Sequence, residues 1–506
     1  MPADRPARGV DDQDARRTLT LPVLGTAPMR GAPLRGDPVL ADPLLPGARR
    51  RADGATLAAL FALSLLIIPA RLVLRGLPLS LTPANILSLL AGMCWLCAQF
   101  TTTLGVAKGR TPVRTALFCY VVALTATYGV ASYGYLPSDE LKLSDHALVL
   151  VMASVGIALA VCDGVRTPER LDFLLKTMVT GGAVIAVIGA LQFMADFDLT
   201  QYLALPGLRF ASEGGAVDMR DSMRRVAATT GHPIEFGVLC SMLLPLAVHY
   251  GFRGGRGALR WWLCAALIGM GLLFSVSRSA VLGVGVVGII LILGWPVRRK
   301  VQALIVTAVF LVVAKLTFPG LLNTLYGLFA NAGTDSSVQY RTHDYDVAAT
   351  EVARHLWLGR GIGTWYAPKY QVFDNQYILT AVESGAVGVA VFVALFFCGI
   401  YSAVRARRLS VDPAPRDLGL TLAACLVVPL VGSATFDLLS FATVTGVAFL
   451  LIGASGALLR SAQREAAVRA WEDDHAERAP GRYGAADRAW SRLPWLPLPG
   501  RSPGRP

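Results

Sequence analysis

Three arginines and two carboxylates carry the chemistry that this sequence offers. Arg278, in FSVSRSAVLG, interrupts what is otherwise nearly continuous apolar sequence. An arginine in such a setting either snorkels to an interface or faces a cavity with a partner. Its planar fork suits two-point contact with phosphate oxygens. Arg224 and Arg225 lie in MRRVAATTGHPIEFG and Arg341 in QYRTHDYD, each readable as a solvated loop residue or as an anion ligand. If several of these arginines converge on an outer, membrane-level cavity, they suit a lipid-linked pyrophosphate. They would also stabilise charge developing on the diphosphate as a glycosyl bond breaks.

The carboxylates follow in DNQYILTAVESGAVG. Asp374 reads either as a helix N-cap or as a base that takes a proton from a sugar hydroxyl. Glu383 reads as a second acid-base candidate or as the partner of an arginine on a neighbouring helix. On a continuous helix the two would stand about 13 Å apart along the axis, so they need not act on one atom. Asn375 and His343 are acceptor-side candidates, and His355 is an alternative base. Glu235 and Asp437 are further helix-end carboxylates for which a structural role is the simpler reading.

Several chemistries find no footing. No GxxxxGK[ST] or HExxH pattern occurs, and the six histidines show no metal-ligand spacing. GRGIG at 359–363 has dinucleotide-loop spacing, but no strand precedes it, and a turn is the better reading. No cofactor and no metal are expected. The eight cysteines fall in or beside apolar runs, which argues against a disulfide framework, and Cys94 and Cys97 read as packing residues.

The elements that must position these groups are membrane helices. Of 506 residues, 54% are hydrophobic and 16% charged, against about 25% charged in soluble domains. The apolar runs are roughly 17 to 26 residues long, the length that crosses a hydrocarbon core of about 30 Å. Lipid offers no partner to free backbone groups, so the spans are helical. The fold expected is all-α and polytopic, with about twelve spans: roughly 55–74, 81–103, 113–133, 146–162, 175–194, 233–250, 259–277, 279–296, 301–318, 377–402, 417–435 and 440–459.

Charge sets the expected topology. The net charge of +13 sits in tails and short loops, where it orients spans rather than binding nucleic acid. Arg49, Arg50 and Arg51 precede the first span and put the N-terminus inside. Alternate loops then carry Lys108 and Arg110; Arg166 and Arg170; Arg253 and Arg256; Arg298, Arg299 and Lys300; and Arg405, Arg407 and Arg408. The intervening loops, such as YGYLPSDELKLSD, are poor in Lys and Arg, with Arg71, Arg75 and Lys315 as exceptions. Both termini are expected in the cytoplasm. Two long outer loops are expected near 195–232 and 319–376, the second with an amphipathic helix through Tyr345, Ala348, Val352 and Leu356. Residues 1–54 read as a disordered tail and 460–506 as a cytoplasmic tail that begins as a charged helix (SAQREAAVRAWEDDHAER) and ends Pro-rich.

Three patches together resemble the O-antigen ligase and polysaccharide polymerase superfamily. RRVAATTGHPIEFGVLCSMLLPLAV is similar to an arginine-and-glycine segment that enters a span, with Ile234 where Asn is usual. LLFSVSRSAVLGVGVVGIILIL looks like the SR(G/S) turn. YRTHDYDVAATEVARHLWLGRGIGTW with DNQYILTAVESGAVG resembles the large outer loop, its PxxGxG, its HNxYL and its ExGxxG. The resemblance implies a metal-independent glycosyltransferase, of ligase or polymerase type, on the outer face of the cytoplasmic membrane. It implies a polyprenyl-diphosphate-linked glycan donor, a glycan or other hydroxyl acceptor, and envelope biosynthesis proteins as partners. It assigns Arg225, Arg278 and Arg341 to the pyrophosphate. Leu356 replaces the usual Pro, and Asp374 stands at the His of HNxYL. An unperturbed Asp, with a pKa of about 4, is a weaker base than His at about 6.5. Either burial raises it, or it orients the acceptor and the base lies elsewhere. The alternative reading is a polysaccharide or solute transporter, which would carry polar residues through the mid-membrane; here the ionisable residues gather at span ends.

Overall fold

The computed structural model describes residues 53–101, 111–134, 136–203, 205–211, 217–220, 223–330 and 336–477, giving only the backbone at 217, 218, 220, 336–344, 476 and 477. The expectations for residues 1–52 and 478–506 fall outside the described residues. The described residues between 53 and 466 belong to one compact unit.

Helices fill every expected span: α1 (Gly54–Ile67), α2 (Pro83–Phe100), α3 (Pro112–Tyr133), α4 (Ser138–Gly164), α5 (Pro168–Ala195), α6 (Pro233–Arg253), α7 (Ala258–Phe274), α8 (Arg278–Gly294) and α9 (Val297–Thr317). Two further helices, α10 (Leu321–Ala330) and α11 (Ser336–Arg354), precede α12 (Gln376–Leu409), α13 (Pro413–Gly432) and α14 (Ala442–Glu477). Ten of these are long and apolar enough to cross a membrane, while α1 and α8 are shorter. The chain is an all-α, multi-pass membrane protein.

Several starts share one local code. Thr82, Thr111 and Thr167 each precede a proline, and each hydroxyl accepts from the N–H three residues on, at 3.2, 3.2 and 3.4 Å. The hydroxyl satisfies an orphan donor, and proline suits the first helical position because its missing N–H has no partner there anyway.

Sequence and structure differ at two element edges. The first span was expected to run to 74, but α1 stops at Ile67, beside Pro69. The chain then turns into β1 (Leu72–Leu74), which pairs antiparallel with β2 (Leu208–Phe210). Most of the loop expected before 146 is already helix, because α4 begins at Ser138. The charged helix expected after 459 is present and continues α14 to Glu477. Arg71, an exception to the charge pattern, donates to Thr200 at 2.6 Å and pairs with Asp198 at 3.4 Å.

Burial separates two kinds of span. The apolar window of α14 is 94% buried, and that of α9 is 6% buried. An apolar helix with uncovered sides is at home in lipid, where those sides need no protein partner. One end of the bundle carries the long segments around 196–232 and 319–375; it is called the loop end below. The opposite end is rich in arginine. There Asp163 is ringed by Arg114 at 2.5 Å, Arg460 at 3.1 Å and the Trp95 indole at 2.9 Å. Asp417 is ringed by Arg299 at 2.8 Å, His249 at 2.9 Å and Arg253 at 3.5 Å.

Candidate active site at the loop end

The site is built on two turns and one helix start. After α5 the chain makes β3 (Val217–Arg220) and β4 (Met223–Val226), with Asp218 opposite Arg225. Strand geometry sends neighbouring side chains to opposite faces. Arg224 turns to the Asp196 carboxylate at 3.0 Å. Arg225, only 7% exposed, turns inward and donates through Nε to the Ser275 carbonyl at 3.4 Å.

Ser275 opens the turn between α7 and α8. Its N–H donates to Gly271 O at 3.1 Å and its hydroxyl to Leu272 O at 2.7 Å. Val276 holds φ 43, a left-handed conformation that is costly for a β-branched residue. The turn fits against α6 because residue 237 is glycine: a Cβ there would lie 2.3 Å from Ser275 Oγ. Arg278 then starts α8, and its Nε donates to Leu328 O at 2.7 Å, in the last turn of α10. A cation is favoured there by the carbonyl-rich helix end.

The second turn follows α13. Ser279 Oγ and Thr435 Oγ1 are hydrogen-bonded at 2.8 Å, which ties the Arg278 turn to it. The start of α12 is stitched to the same segment. The N–H of Gln376 donates to Ser433 O at 2.8 Å, and its Oε1 accepts from the N–H of Leu439 at 2.7 Å. Asn375 caps α12, its Oδ1 accepting from the N–H of Tyr377 at 2.9 Å and of Ile378 at 3.3 Å. The cap is therefore Asn375, and Asp374, one of the sequence's candidates for it, stands just outside the helix. Asp437 shares this corner. Burial holds its carboxyl above the usual carboxylate range, Ser440 opposes this, and the neighbouring Asp374 charge adds to the rise.

Glu383 is engaged by backbone rather than by an arginine. Its carboxylate accepts from the N–H of Trp365 at 3.2 Å. The helix breaks two residues later at Gly385, where φ is 64 and ψ is −167. The GRGIG segment crosses at the break: Arg360 N–H donates to Val382 O at 3.0 Å, Gly361 N–H to Glu383 O at 2.8 Å and Ala386 N–H to Leu356 O at 2.8 Å. GRGIG is thus a turn, with Gly359, Gly361 and Gly363 all at positive φ. A Cβ at Gly359 would lie 2.3 Å from the Glu383 carbonyl carbon. Its far side is pinned to α4, where buried Glu140 meets Arg360 at 2.9 Å and Lys369 at 2.7 Å. The Glu140 hydrogen bond holds the Lys369 ammonium above its usual range. Trp365 stacks between Tyr370, at 4.5 Å, and Phe373, at 5.2 Å.

Helix α11 lies on α12 with Ala348 buried against Phe373 and Val382, and Val352 packed beside them. Tyr345 is exposed, and Leu356 lies beyond the helix end, so the expected stripe is only partly the packed face. Arg341 and His343 are on α11; their side chains lie outside the described residues. Glu235 is structural: it accepts from the N–H of Gly231 at 2.7 Å and of Thr443 at 2.6 Å, which secures the start of α14. The structure thus brings Arg225 and Arg278 to one turn, with Asp374, Asn375 and Asp437 on segments bonded to it. Glu383 is held apart with the crossing loop. Sequence reasoning left Asp437 in a structural role; its one local signal is an acid between Phe436 and Leu438.

Among the described residues no group of three His, Cys, Asp or Glu side chains is placed to hold a metal ion.

These features define a multi-pass helical membrane protein whose loop end gathers arginines and carboxylates at one corner. Residues 263–393 match the family model of the O-antigen ligase, a likeness that supports kinship with the O-antigen ligase superfamily and, coarsely, a ligase- or polymerase-like function. The match takes in Arg278, Arg341, Asp374 and Glu383, and leaves Arg225 and Asp437 outside it. No curated protein matched the chain.

Proposed function

We propose that the chain is a metal-independent glycosyltransferase that takes glycan from a polyprenyl diphosphate donor and passes it to a hydroxyl acceptor. Its place is the cytoplasmic membrane, with the loop end outside and both termini inside, in surface or exopolysaccharide synthesis. Support comes from the convergence at one corner: Arg225 and Arg278 meet the Ser275–Arg278 turn, and Ser279 bonds Thr435 beside the start of α12. That single linkage carries the reading.

In it Arg225 and Arg278 hold the pyrophosphate, with Arg341 on α11 as a third ligand. The bond between the anomeric carbon and the phosphate oxygen breaks, and its electrons leave with the diphosphate. Guanidinium groups meet that charge where it develops. The acceptor oxygen bonds the anomeric carbon, and its proton passes to Asp374. Beside it Asp437 is held above the usual carboxylate range by burial and by the Asp374 charge. Asn375 orders the start of α12, His343 lies on the acceptor side, and Glu383 positions the crossing loop rather than reaching the reacting atoms.

The test is reconstitution in lipid with a polyprenyl-diphosphate oligosaccharide, reading release of polyprenyl diphosphate. Arg278→Ala and Arg225→Ala should each lower turnover about 10²–10³-fold while the protein remains inserted and monodisperse. Wild-type turnover in both variants would sink the pyrophosphate assignment.

A further inference from the structure

At the arginine-rich end, away from the corner described above, the bundle holds a second feature that the transfer reaction does not use. A cavity of about 470 Å³ opens between the ends of α5, α6, α7 and α13, with α14 behind it. Three cations, Lys176, Arg253 and Arg260, and two carboxylates, Glu169 and Asp172, line it. The positions of the cations are set by other contacts. Lys176 is bonded to Asp172 and lies 5.2 Å from the Tyr250 ring centre. Arg253 bonds the Pro413 carbonyl and stands 3.5 Å from Asp417. Arg260 stacks on Trp261 at 4.7 Å; among the described residues it makes no ion pair. The wall between them is apolar, with Leu418 and Leu458.

The first turn of α13 supplies Ala414 and Pro415 to the lining, but its prolines, Pro413 and Pro415, carry no N–H, so it contributes shape rather than donors. Helix α7 begins two residues before Arg260, and a helix N-terminus favours an anion. The volume lies within the ordinary range for small-molecule sites, about 300–1,000 Å³, and exceeds what a lone phosphate needs. Charged side chains, three cations against the carboxylates of Glu169 and Asp172, stand at the helix ends and the wall is apolar, so the occupant is amphipathic. We propose that this cavity binds the phosphate headgroup of an anionic phospholipid, with the start of an acyl chain along the Leu418 and Leu458 wall. The site is independent of the glycan-transfer reading.

The full-length protein, purified in neutral detergent, is titrated with phosphatidylglycerol, phosphatidylcholine and inorganic phosphate, and bound lipid is counted by native mass spectrometry. Phosphatidylglycerol should bind at least about tenfold more tightly than phosphatidylcholine. Removing a basic residue near a charged headgroup weakens binding about fivefold, so Lys176→Ala with Arg260→Ala should lower phosphatidylglycerol affinity about 25-fold and leave phosphatidylcholine unchanged. Ala414→Trp fills the cavity with the charges intact and should abolish the preference as well. It and Arg260→Ala alone decide the matter should the double variant fail to fold. Equal binding of the two lipids overturns the proposal, as does a preference that survives both changes. Millimolar phosphate that displaces the lipid completely assigns the site to the free anion and overturns the lipid assignment.

Discussion

The arginine-rich end and the Arg278 corner of the loop end place the same residue types in different settings, although elsewhere at the loop end Glu140 and Asp198 are paired with cations. At the arginine-rich end each buried acid is surrounded by cations: Asp163 by Arg114 and Arg460, and Asp417 by Arg299, Arg253 and His249. Such sites hold helices in register, and their charges are answered within the protein. At the loop end Arg225 and Arg278 donate to backbone carbonyls, and Asp437 has another acid, Asp374, as its charged neighbour. Placing like charges together costs stability and raises proton affinity. In the proposed function an arrangement of that kind serves proton transfer, and the contrast is between this corner and the acid–cation clusters elsewhere.

Substitutions can break that contrast. The largest effect expected is from Asp374→Asn, which removes the proposed base and should lower kcat about 10²–10⁴-fold with the thermal midpoint unchanged. Retained activity would move the base to Asp437, a histidine or the substrate. Next is Asp163→Ala, which strands two buried arginines. It should cost about 3–5 kcal/mol of stability, read by chemical or thermal unfolding, while kcat of the surviving folded protein stays near wild type. A smaller effect is expected from Glu383→Gln: a weaker acceptor for the Trp365 N–H costs about 1–3 kcal/mol locally. Hydrogen exchange should quicken in residues 359–365 before the bundle loosens. The smallest is a change of profile. Asp437 is raised by burial and by Asp374, so it holds its proton to higher pH than a free aspartate. Its ionisation favours the base form of the pair, so kcat/KM should rise with pH through its titration. Asp437→Asn should move that acid limb to lower pH, and an unmoved limb would remove Asp437 from the chemistry.

The helices were legible because their signal is local. Apolar run length and Thr-Pro starts at 82, 111 and 167 need only neighbours in sequence. The arginines of the site were legible for the same reason, since Arg278 stands out against its own flanks. What was not legible depends on pairing across the chain. Strands β1 and β2 are three residues each and become strands only by meeting over a long separation. Asp437 draws its character from Asp374, a neighbour brought to it by the α12 stitch to residues 433–439. The cap at Asn375 instead of Asp374 is a shift of one residue, within the ordinary uncertainty of helix ends. Glu383 was misjudged as to partner type, because a backbone N–H supplied by a folded loop leaves no charge pattern in sequence.

The break at Gly385 also works as a length gauge. From Ala386 to Leu409 the helix spans about 36 Å at 1.5 Å per residue, enough to cross a hydrocarbon layer of about 30 Å without help. The portion before the break, Gln376–Ser384, about 13 Å long, is therefore surplus to the length a crossing requires. The crossing loop lies at the foot of this stub and Asp374 at its top. In the proposed transfer the stub would set the distance between the crossing loop and the proposed base.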